Sequence, residues 1–220
     1  LINTLSTPCC TLYHSKFPIM PQYKLTYFNA RGFAETARML FVLADQDFED
    51  VRIEREQWPA LKPNTPFGQL PMLTVDGTQI SQTMAIYRFL AKEFGLSGSN
   101  NVQQGVADMI VECIRDVQTG LMGVRRESDE AKKAEALAKF TESAPDQLEK
   151  ITKFLGENNF FLGDNISFVD IIFFNLAPAF KMVGAEAVFD AQPKLKALID
   201  RVASNDKIAA WIKRRPVTEM

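Results

Sequence analysis

The fold is most clearly indicated by residues 66–80, which read PFGQLPMLTVDGTQI. Two prolines and a glycine interrupt the first half of this stretch, so it cannot form a regular helix. In the second half, Met72–Val75 and Thr78–Ile80 flank Asp76 and Gly77, whose order is the strongest short-range signal for a β-hairpin. The stretch therefore predicts an irregular loop followed by two antiparallel strands.

The segments on either side of this hairpin complete a small mixed sheet. Tyr23–Phe28 reads YKLTYF and alternates like a strand, and apolar residues then recur at helical spacing over residues 34–44. A short strand at Glu49–Ile53 should pair parallel to the first through a right-handed crossover. After the hairpin, a helix that starts at Gln82 ends near Gly95. The first half is thus predicted to be a thioredoxin-like β-α-β-α-β-β-α domain.

The second half of the chain shows helical periodicity only. Gly95–Asn101 is rich in glycine, serine and asparagine, which predicts a linker. Val102–Leu121 then carries an apolar stripe, and Leu137–Leu155 predicts at least one further helix around Pro145. An all-helical C-terminal domain is the expectation.

Two side chains mark the start of another helix in this domain. Ser167 and Asp170 have the spacing of a capping box, and the apolar residues 171–174 follow directly. Pro178 lies inside the same apolar stretch, where its ring removes a backbone donor. The helix should therefore bend or end near this proline.

These patterns divide the chain into three segments. We expect residues 1–19 to be a disordered leader or an added remnant, because regular patterning starts abruptly at Met20. Residues 20–97 should form the thioredoxin-like domain, and residues 98–220 should form the helical domain.

The composition excludes several classes of function. The 220 residues carry a net charge of -2, which argues against a nucleic-acid partner. No apolar run approaches the ~20 residues that cross a bilayer, so we expect no membrane span. Three cysteines and one histidine provide neither an even disulfide framework nor a histidine-based metal site. A reducing, cytoplasmic location and a metal-free site are the expectations.

Pro71 stands immediately before the predicted third strand. A cis bond before it would turn the Leu70 backbone outward, so that its amide and carbonyl could pair with an extended peptide. The alternative is an ordinary trans proline at the start of a strand. The sequence leaves both readings open.

Tyr27 lies at the carboxyl end of the first strand, where open sheets usually carry their chemistry. Thioredoxin-like redox enzymes have Cys-x-x-Cys there, whereas this chain has YFNA at residues 27–30, which argues against disulfide exchange. A phenol can donate to a thiolate, and such a bond lowers a thiol pKa by roughly one to two units. The alternative is that Tyr27 is only a half-buried packing residue.

Five stretches together resemble sigma-class glutathione transferases, a family found in nematodes that includes the vertebrate haematopoietic prostaglandin D synthases. They are MPQYKLTYFNARG at 20–32, PFGQLPML at 66–73, VDGTQISQTMAI at 75–86, FLGDNISFVDI at 161–171 and WIKRRPVT at 211–218. The resemblance extends over residues 20–220. It implies a homodimer that conjugates the thiolate of its co-substrate glutathione to hydrophobic electrophiles, with reduction of organic peroxides as a side activity.

The resemblance also implies a role for particular residues. Tyr27 matches the catalytic tyrosine. The matching glutathione-binding residues are Trp58, Lys62 and Gln69 for the glycine end, Leu70 and Pro71 for the cysteinyl unit, Gln82 and Thr83 for the γ-glutamyl carboxylate, and Asp116 of the partner subunit for the γ-glutamyl amine. The exposed amides and positive dipole end at the start of the third helix suit a carboxylate. The electrophile site is expected at Phe28, Phe33, Met122 and Gly123.

Three departures from the family pattern qualify these roles. Phe33 replaces a frequent arginine near the catalytic tyrosine, and Gln69 replaces a frequent lysine. Glu112 and Arg115 interrupt a cluster of acidic residues that binds a divalent metal in the vertebrate prostaglandin synthase, so no metal is expected. Two alternative functions remain open, a glutathione-dependent prostaglandin H to D isomerase and a non-catalytic carrier of hydrophobic ligands such as haem.

Overall fold

The first half of the chain folds around one mixed sheet of four strands. The computed structural model describes residues 21–218, so the expectations for residues 1–19 lie outside the described residues. The strands are β1 (Tyr23–Phe28), β2 (Glu49–Ile53), β3 (Met72–Val75) and β4 (Thr78–Ser81). Their order is β2-β1-β3-β4, with β1 parallel to β2 and antiparallel to β3, and β3 antiparallel to β4. The predicted thioredoxin-like arrangement is confirmed.

Three helices accompany this sheet. They are α1 (Glu35–Leu43), the short α2 (Trp58–Leu61) and α3 (Thr83–Glu93). The helices α1 and α3 pack against each other, and Leu40 and Ile86 are fully buried with Leu25 and Leu73 of the sheet. Two backbone signals behave as the sequence indicates, because the hairpin residues Asp76 and Gly77 and the residue Gly95 after α3 all have a positive φ.

The second half contains seven helices among the described residues. They are α4 (Asn101–Arg126), α5 (Glu130–Leu155), α6 (Phe168–Leu176), α7 (Pro178–Met182), α8 (Glu186–Asp190), α9 (Pro193–Ala203) and α10 (Asp206–Arg214). The prediction of an all-helical second half is confirmed. The helix α5 is longer than its apolar pattern indicates, and it continues through Pro145, whose exposed position lets water serve the carbonyl that loses its N–H partner.

The predicted capping box opens α6. Asp170 accepts hydrogen bonds from the Ser167 amide at 2.8 Å and from the Ser167 hydroxyl at 2.6 Å, and it also accepts one from the Phe161 amide at 2.9 Å. Burial raises the pKa of Asp170 to about 6, although the hydrogen bonds from Ser167 and Phe161 act in the opposite direction. The predicted break at Pro178 is also confirmed, since α6 ends at Leu176 and α7 starts at the proline.

A buried ionic contact joins the two halves. Glu35 at the start of α1 accepts hydrogen bonds from the Trp211 indole at 2.9 Å and from the Arg215 guanidinium at 2.8 Å. Its second carboxylate oxygen lies 3.3 Å from Arg38, which is itself fully buried. These contacts hold α10 and the residue after it against the first helix of the sheet domain.

Candidate active site

Tyr27 lies at the end of β1, beside a loop that approaches its phenol very closely. The phenol oxygen accepts a hydrogen bond from the Phe33 amide at 3.4 Å. Gly32 has a φ of +38°, and a Cβ atom at this position would lie 2.7 Å from the Tyr27 hydroxyl. Only glycine therefore allows the loop to come this near to the phenol.

The sheet register places Tyr27 beside the loop before β3. The pairing of β1 with β3 ends at Thr26 and Met72, so the next residues of the two strands are Tyr27 and Pro71. The Leu70-Pro71 bond is cis, which confirms the first of the two readings that the sequence left open. Neither the amide nor the carbonyl of Leu70 forms a backbone hydrogen bond within residues 21–218. An extended peptide could therefore pair with Leu70 next to the phenol.

A cavity of about 900 Å³ opens in front of Tyr27, between the sheet domain and the helical domain. It brings together six of the predicted site residues, namely Tyr27, Phe28, Phe33, Gln82, Thr83 and Met122. The apolar side chains Ile172 and Leu176 of α6 complete the lining on the helical side. Polar and apolar side chains thus line the same cavity as the phenol.

The start of α3 lacks a side-chain cap. Gln82 precedes the helix with a φ of 75°, a conformation that is rare outside glycine and is found most often at functional sites. Its side chain forms no capping hydrogen bond and instead donates to Gln69 at 3.0 Å. The amides of the first turn are therefore left without a side-chain cap. Gln82 and Thr83 both line the cavity at this point.

Two further predicted residues, Trp58 and Lys62, contact residues next to the site. The Trp58 ring packs edge-to-face on Phe28 at 5.8 Å, and Phe28 packs in the same manner on Tyr27 at 5.6 Å. The aliphatic part of Lys62 lies over Gly68, because a Cβ atom at Gly68 would be 3.2 Å from the Lys62 Cε. Gly68 directly precedes Gln69, which accepts the hydrogen bond from Gln82. Lys62 therefore lies against the same loop as Gln69.

Seven predicted residues do not line the cavity, namely Trp58, Lys62, Gln69, Leu70, Pro71, Asp116 and Gly123. Asp116 is exposed on α4 and lies outside the set of residues that line the cavity of its own protomer. Gly123 is also exposed, and a Cβ atom there would meet nothing within 4 Å. Neither residue contributes to the cavity within this protomer.

The departures at Phe33, Glu112 and Arg115 have defined surroundings. The Phe33 side chain lines the cavity, and its backbone amide, not a cationic side chain, contacts the phenol. Glu112 lies 2.7 Å from Arg88 and 2.8 Å from Arg115, and the Arg88 hydrogen bond lowers its pKa. Within the described part of the chain, no group of three or more histidine, cysteine, aspartate or glutamate side chains could hold a metal ion.

Sequence reasoning missed several residues of this site. The buried Tyr87 hydroxyl donates to the Phe33 carbonyl at 2.5 Å. Asn175 lines the cavity and donates to the Thr36 hydroxyl at 3.1 Å. The asparagine could have been found as a polar residue inside the apolar run FVDIIFFNL, whereas Tyr87 follows the apolar stripe of α3 and carries no such signal.

Fold and site together define a thioredoxin-like transferase with an appended helical domain and a phenol in place of the redox cysteines. Residues 23–92 match the family model of the glutathione S-transferase N-terminal domain, and residues 115–215 match that of the glutathione S-transferase C-terminal domain. The chain belongs to the glutathione S-transferase family.

Named relatives and solved structures agree with this family. Hematopoietic prostaglandin D synthase of Gallus gallus is 41% identical over 201 residues, which cover 90% of this chain and 99% of the relative. Glutathione S-transferase 1 of Ascaris suum is 37% identical, over 90% of this chain and 99% of the relative. The crystal structure of Na-GST-3 from Necator americanus, described as a monomeric glutathione S-transferase, has a TM-score of 0.82 and 35% identity and covers 90% of this chain and 100% of that chain.

Proposed function

We propose that this enzyme binds glutathione along the Leu70 backbone and ionises its thiol with a hydrogen bond from the Tyr27 hydroxyl. The observation that carries the proposal is the position of the phenol, which lies at the cavity beside an unpaired backbone segment. A free thiol has a pKa of about 8.5 and is mostly protonated near neutral pH. A donor to the sulfur anion therefore increases the reactive fraction.

The remaining glutathione contacts follow from the charges of that peptide. The γ-glutamyl carboxylate is assigned to the uncapped start of α3 at Gln82 and Thr83. The glycyl carboxylate is assigned to Lys62 and the Trp58 indole, with Gln69 between the two ends. The Leu70 amide and carbonyl, presented by Pro71, hold the cysteinyl unit.

The apolar part of the cavity is assigned to the electrophile. Phe28, Phe33 and Met122 lie there with Ile172 and Leu176, and Gly123 stays a prediction for the outer wall. With an aryl halide, the sulfur forms a bond to the ring carbon and chloride leaves with the bonding pair, while the thiol proton goes to solvent. Hydrophobic electrophiles are the proposed substrates, and organic peroxides are a proposed second class.

Conjugation of 1-chloro-2,4-dinitrobenzene tests this assignment. We expect Tyr27→Phe to raise the pKa of the bound thiol by about one to two units, read from thiolate absorbance against pH. The value of kcat/KM near neutral pH should fall by about 10- to 100-fold. Tyr23→Phe removes a hydroxyl from the other end of the same strand and should change neither value. Equal rates for wild type and Tyr27→Phe would remove the tyrosine mechanism, and no conjugation by either would favour the carrier.

We further propose that the enzyme is a cytoplasmic homodimer of the sigma class. The apolar side chains Val102, Val106 and Met109 are exposed along one face of α4, which is the helix that carries the exposed Asp116. A second copy would cover this face and bring Asp116 of the partner subunit toward the γ-glutamyl amine. Within residues 21–218, Cys113 forms no disulfide, as is usual in a reducing compartment. No helix in this part of the chain is long and apolar enough to cross a membrane.

One observation favours isomerisation of a prostaglandin endoperoxide as a second candidate function. Among the described residues, the cavity lining includes five arginines and no aspartate or glutamate. Arg88 and Arg115 pair with Glu112, whereas Arg55, Arg125 and Arg126 form no ion pair within the described residues. A fatty-acid carboxylate would suit these cations. Product analysis with prostaglandin H would decide, since decay at the spontaneous rate alone would exclude this activity.

A further inference from the structure

Two tyrosine hydroxyls contact the backbone of the same residue in the loop after β1. Tyr87 of α3 donates to the Phe33 carbonyl at 2.5 Å, across 54 positions of sequence. The amide of Phe33 donates to the Tyr27 phenol oxygen at 3.4 Å. Residue 33 therefore connects a buried hydroxyl on one side with the proposed catalytic hydroxyl on the other.

The Tyr87 hydroxyl acts as a donor in this arrangement. Its side chain is 4% exposed and lies at the base of the cavity. Burial raises the pKa of Tyr87 well above the ordinary value for a phenol, so the hydroxyl stays protonated over the working range of the enzyme. The Phe33 carbonyl thus retains its partner at every pH at which glutathione reacts.

The hydrogen bond from Phe33 to Tyr27 depends on the exact placement of this residue. At 3.4 Å it is longer than the usual 2.7 to 3.2 Å range for an amide donor, roughly at the limit where a small displacement breaks it. The Phe33 side chain is apolar, so the amide is the only group of that residue that can polarise the phenol. Whatever fixes the orientation of residue 33 therefore affects the hydrogen bond that the Tyr27 phenol accepts.

We propose that Tyr87 is a positioning residue for the thiol-ionising step, which it supports by holding the Phe33 amide on the Tyr27 phenol. The proposal rests on the function assigned to Tyr27 above. In the resulting series, the Tyr87 hydroxyl donates to the Phe33 carbonyl and the Phe33 amide donates to the Tyr27 oxygen. The Tyr27 hydroxyl then donates to the sulfur anion. A phenol that accepts a hydrogen bond becomes a stronger donor, since bonds in such chains polarise one another.

The variant Tyr87→Phe tests this role, because it removes the hydroxyl and keeps the ring. We expect the pKa of bound glutathione to rise by about 0.5 unit, and kcat/KM for 1-chloro-2,4-dinitrobenzene at about pH 6.5 to fall by about threefold. Well above both thiol pKa values the two enzymes should react at equal rates. Damage to the fold would lower the rate at every pH, so convergence at high pH separates positioning from structure.

The matched control is Tyr23→Phe, which removes another buried tyrosine hydroxyl and its hydrogen bond to Glu93 at 3.3 Å. It should leave the thiol pKa unchanged. If Tyr87→Phe is too unstable to assay, Tyr87→Met provides a second variant that lacks the hydroxyl and keeps a long apolar side chain.

A double-mutant cycle identifies the path of the effect. In the Tyr27→Phe background, Tyr87→Phe should cause no further change in the thiol pKa, because the phenol through which it acts is gone. An unchanged thiol pKa in the single variant, or an equal shift in both backgrounds, would overturn the role of Tyr87 alone. A Tyr27→Phe enzyme with the wild-type thiol pKa would instead overturn the proposed function.

Discussion

The loop after β1 approaches the Tyr27 phenol more closely than any side chain there would allow. This proximity has two causes at the level of single residues. Gly32 has no Cβ and adopts a positive φ, and the buried Arg38 holds the preceding turn by donating to the Ala30 carbonyl at 2.8 Å. The Phe33 amide reaches the phenol oxygen as a result. Backbone geometry therefore brings a donor to the phenol oxygen of the proposed catalytic residue.

We expect Gly32→Ala to lower kcat/KM by at least about tenfold, because a Cβ atom 2.7 Å from the hydroxyl must displace either the loop or the phenol. The change would be measured as kcat/KM for 1-chloro-2,4-dinitrobenzene at saturating glutathione. Gly77→Ala is the matched control, since Gly77 also has a positive φ but a Cβ atom there would meet nothing within 4 Å. Both variants should lose stability, and only Gly32→Ala should lose activity. Equal activity losses would show that the close approach is irrelevant.

The sequence alone predicted the residues whose chemistry is local. The strand-end position of Tyr27 and the place of Pro71 before β3 are readable from pattern, and the structure confirms both positions. Tyr87 could not be predicted, because its contact with Phe33 depends on tertiary packing between α3 and the loop after β1. Its place on the apolar stripe of α3 resembles that of any core aromatic residue.

At the scale of single elements, α6 depends on one buried carboxyl. Asp170 accepts three hydrogen bonds, two from Ser167 and one from Phe161, and so joins the start of the helix to the preceding loop. The residues that follow are almost entirely buried, and α6 packs against α1, α4 and α9. Loss of these hydrogen bonds at the first turn of α6 would disturb the core that supports Ile172 and Leu176 in the cavity wall.

We expect Asp170→Asn to lower the free energy of unfolding by about 2 to 4 kcal/mol at neutral pH, because the NH2 group that replaces one carboxylate oxygen cannot accept, so either the Phe161 amide or the two Ser167 donors lose their partner. Urea unfolding followed by circular dichroism would measure it. Asp146→Asn is the control, since Asp146 is exposed and pairs with Lys150 at 2.6 Å one turn along α5. Such an exposed pair contributes little to stability, so this variant should unfold at nearly the same urea concentration as the wild type.

The comparison of wild type with Asp170→Asn also gives the sign of a pH effect on stability. The folded-state pKa of Asp170, about 6, lies above its ordinary value of 3.8, so the folded protein binds this proton more tightly than the unfolded chain. The contribution of the group is fully present below the ordinary pKa and is lost as pH rises through the folded one. The stability difference between wild type and Asp170→Asn should therefore grow as the pH falls from about 7 to about 5. A difference that shrinks would mean that the three hydrogen bonds outweigh burial.

Element boundaries were predicted where a local signal exists. All four strands agree with the sequence pattern to within one residue, because turns and prolines delimit them. The helix α5 extends seven residues before the predicted start at Leu137, since its first turns are exposed and carry no apolar period. Asp129 caps this helix by accepting from the Lys132 amide at 3.0 Å, which is the signal that pattern reading overlooked.

At the scale of the whole molecule, the two halves act as one support for the site. Helix α1 packs against α3 in the sheet domain and against α6 and α10 in the helical domain. Glu35 is buried at this junction and binds Trp211 and Arg215, while Asn175 of α6 reaches Thr36 of α1. A buried carboxylate without these partners would cost several kcal/mol, so the junction has one favoured arrangement. These contacts fix the packing of α1 against the helical domain beside the cavity.

The exposed face of α4 leads to a prediction about assembly. We expect the wild type to sediment as a dimer, and Met109→Asp to sediment as a folded monomer, because a carboxylate in an apolar contact must be desolvated without a partner. Met182→Asp is the matched control, since Met182 on α7 is 46% exposed and Met109 is 43% exposed. It should leave the dimer intact.

Dissociation should also weaken glutathione binding, because Asp116 lies on the same helix and is assigned to the site of the other copy. In Met109→Asp the KM for glutathione should rise several-fold. In Asp116→Asn the dissociation constant for glutathione, measured by calorimetry, should rise to a similar extent while the dimer persists. An ion pair formed across the interface accounts for both effects, since either variant removes the carboxylate from the γ-glutamyl amine. A wild-type monomer with undiminished affinity for glutathione, like the state described for the hookworm relative, would show that each protomer binds its co-substrate without Asp116 of the partner subunit.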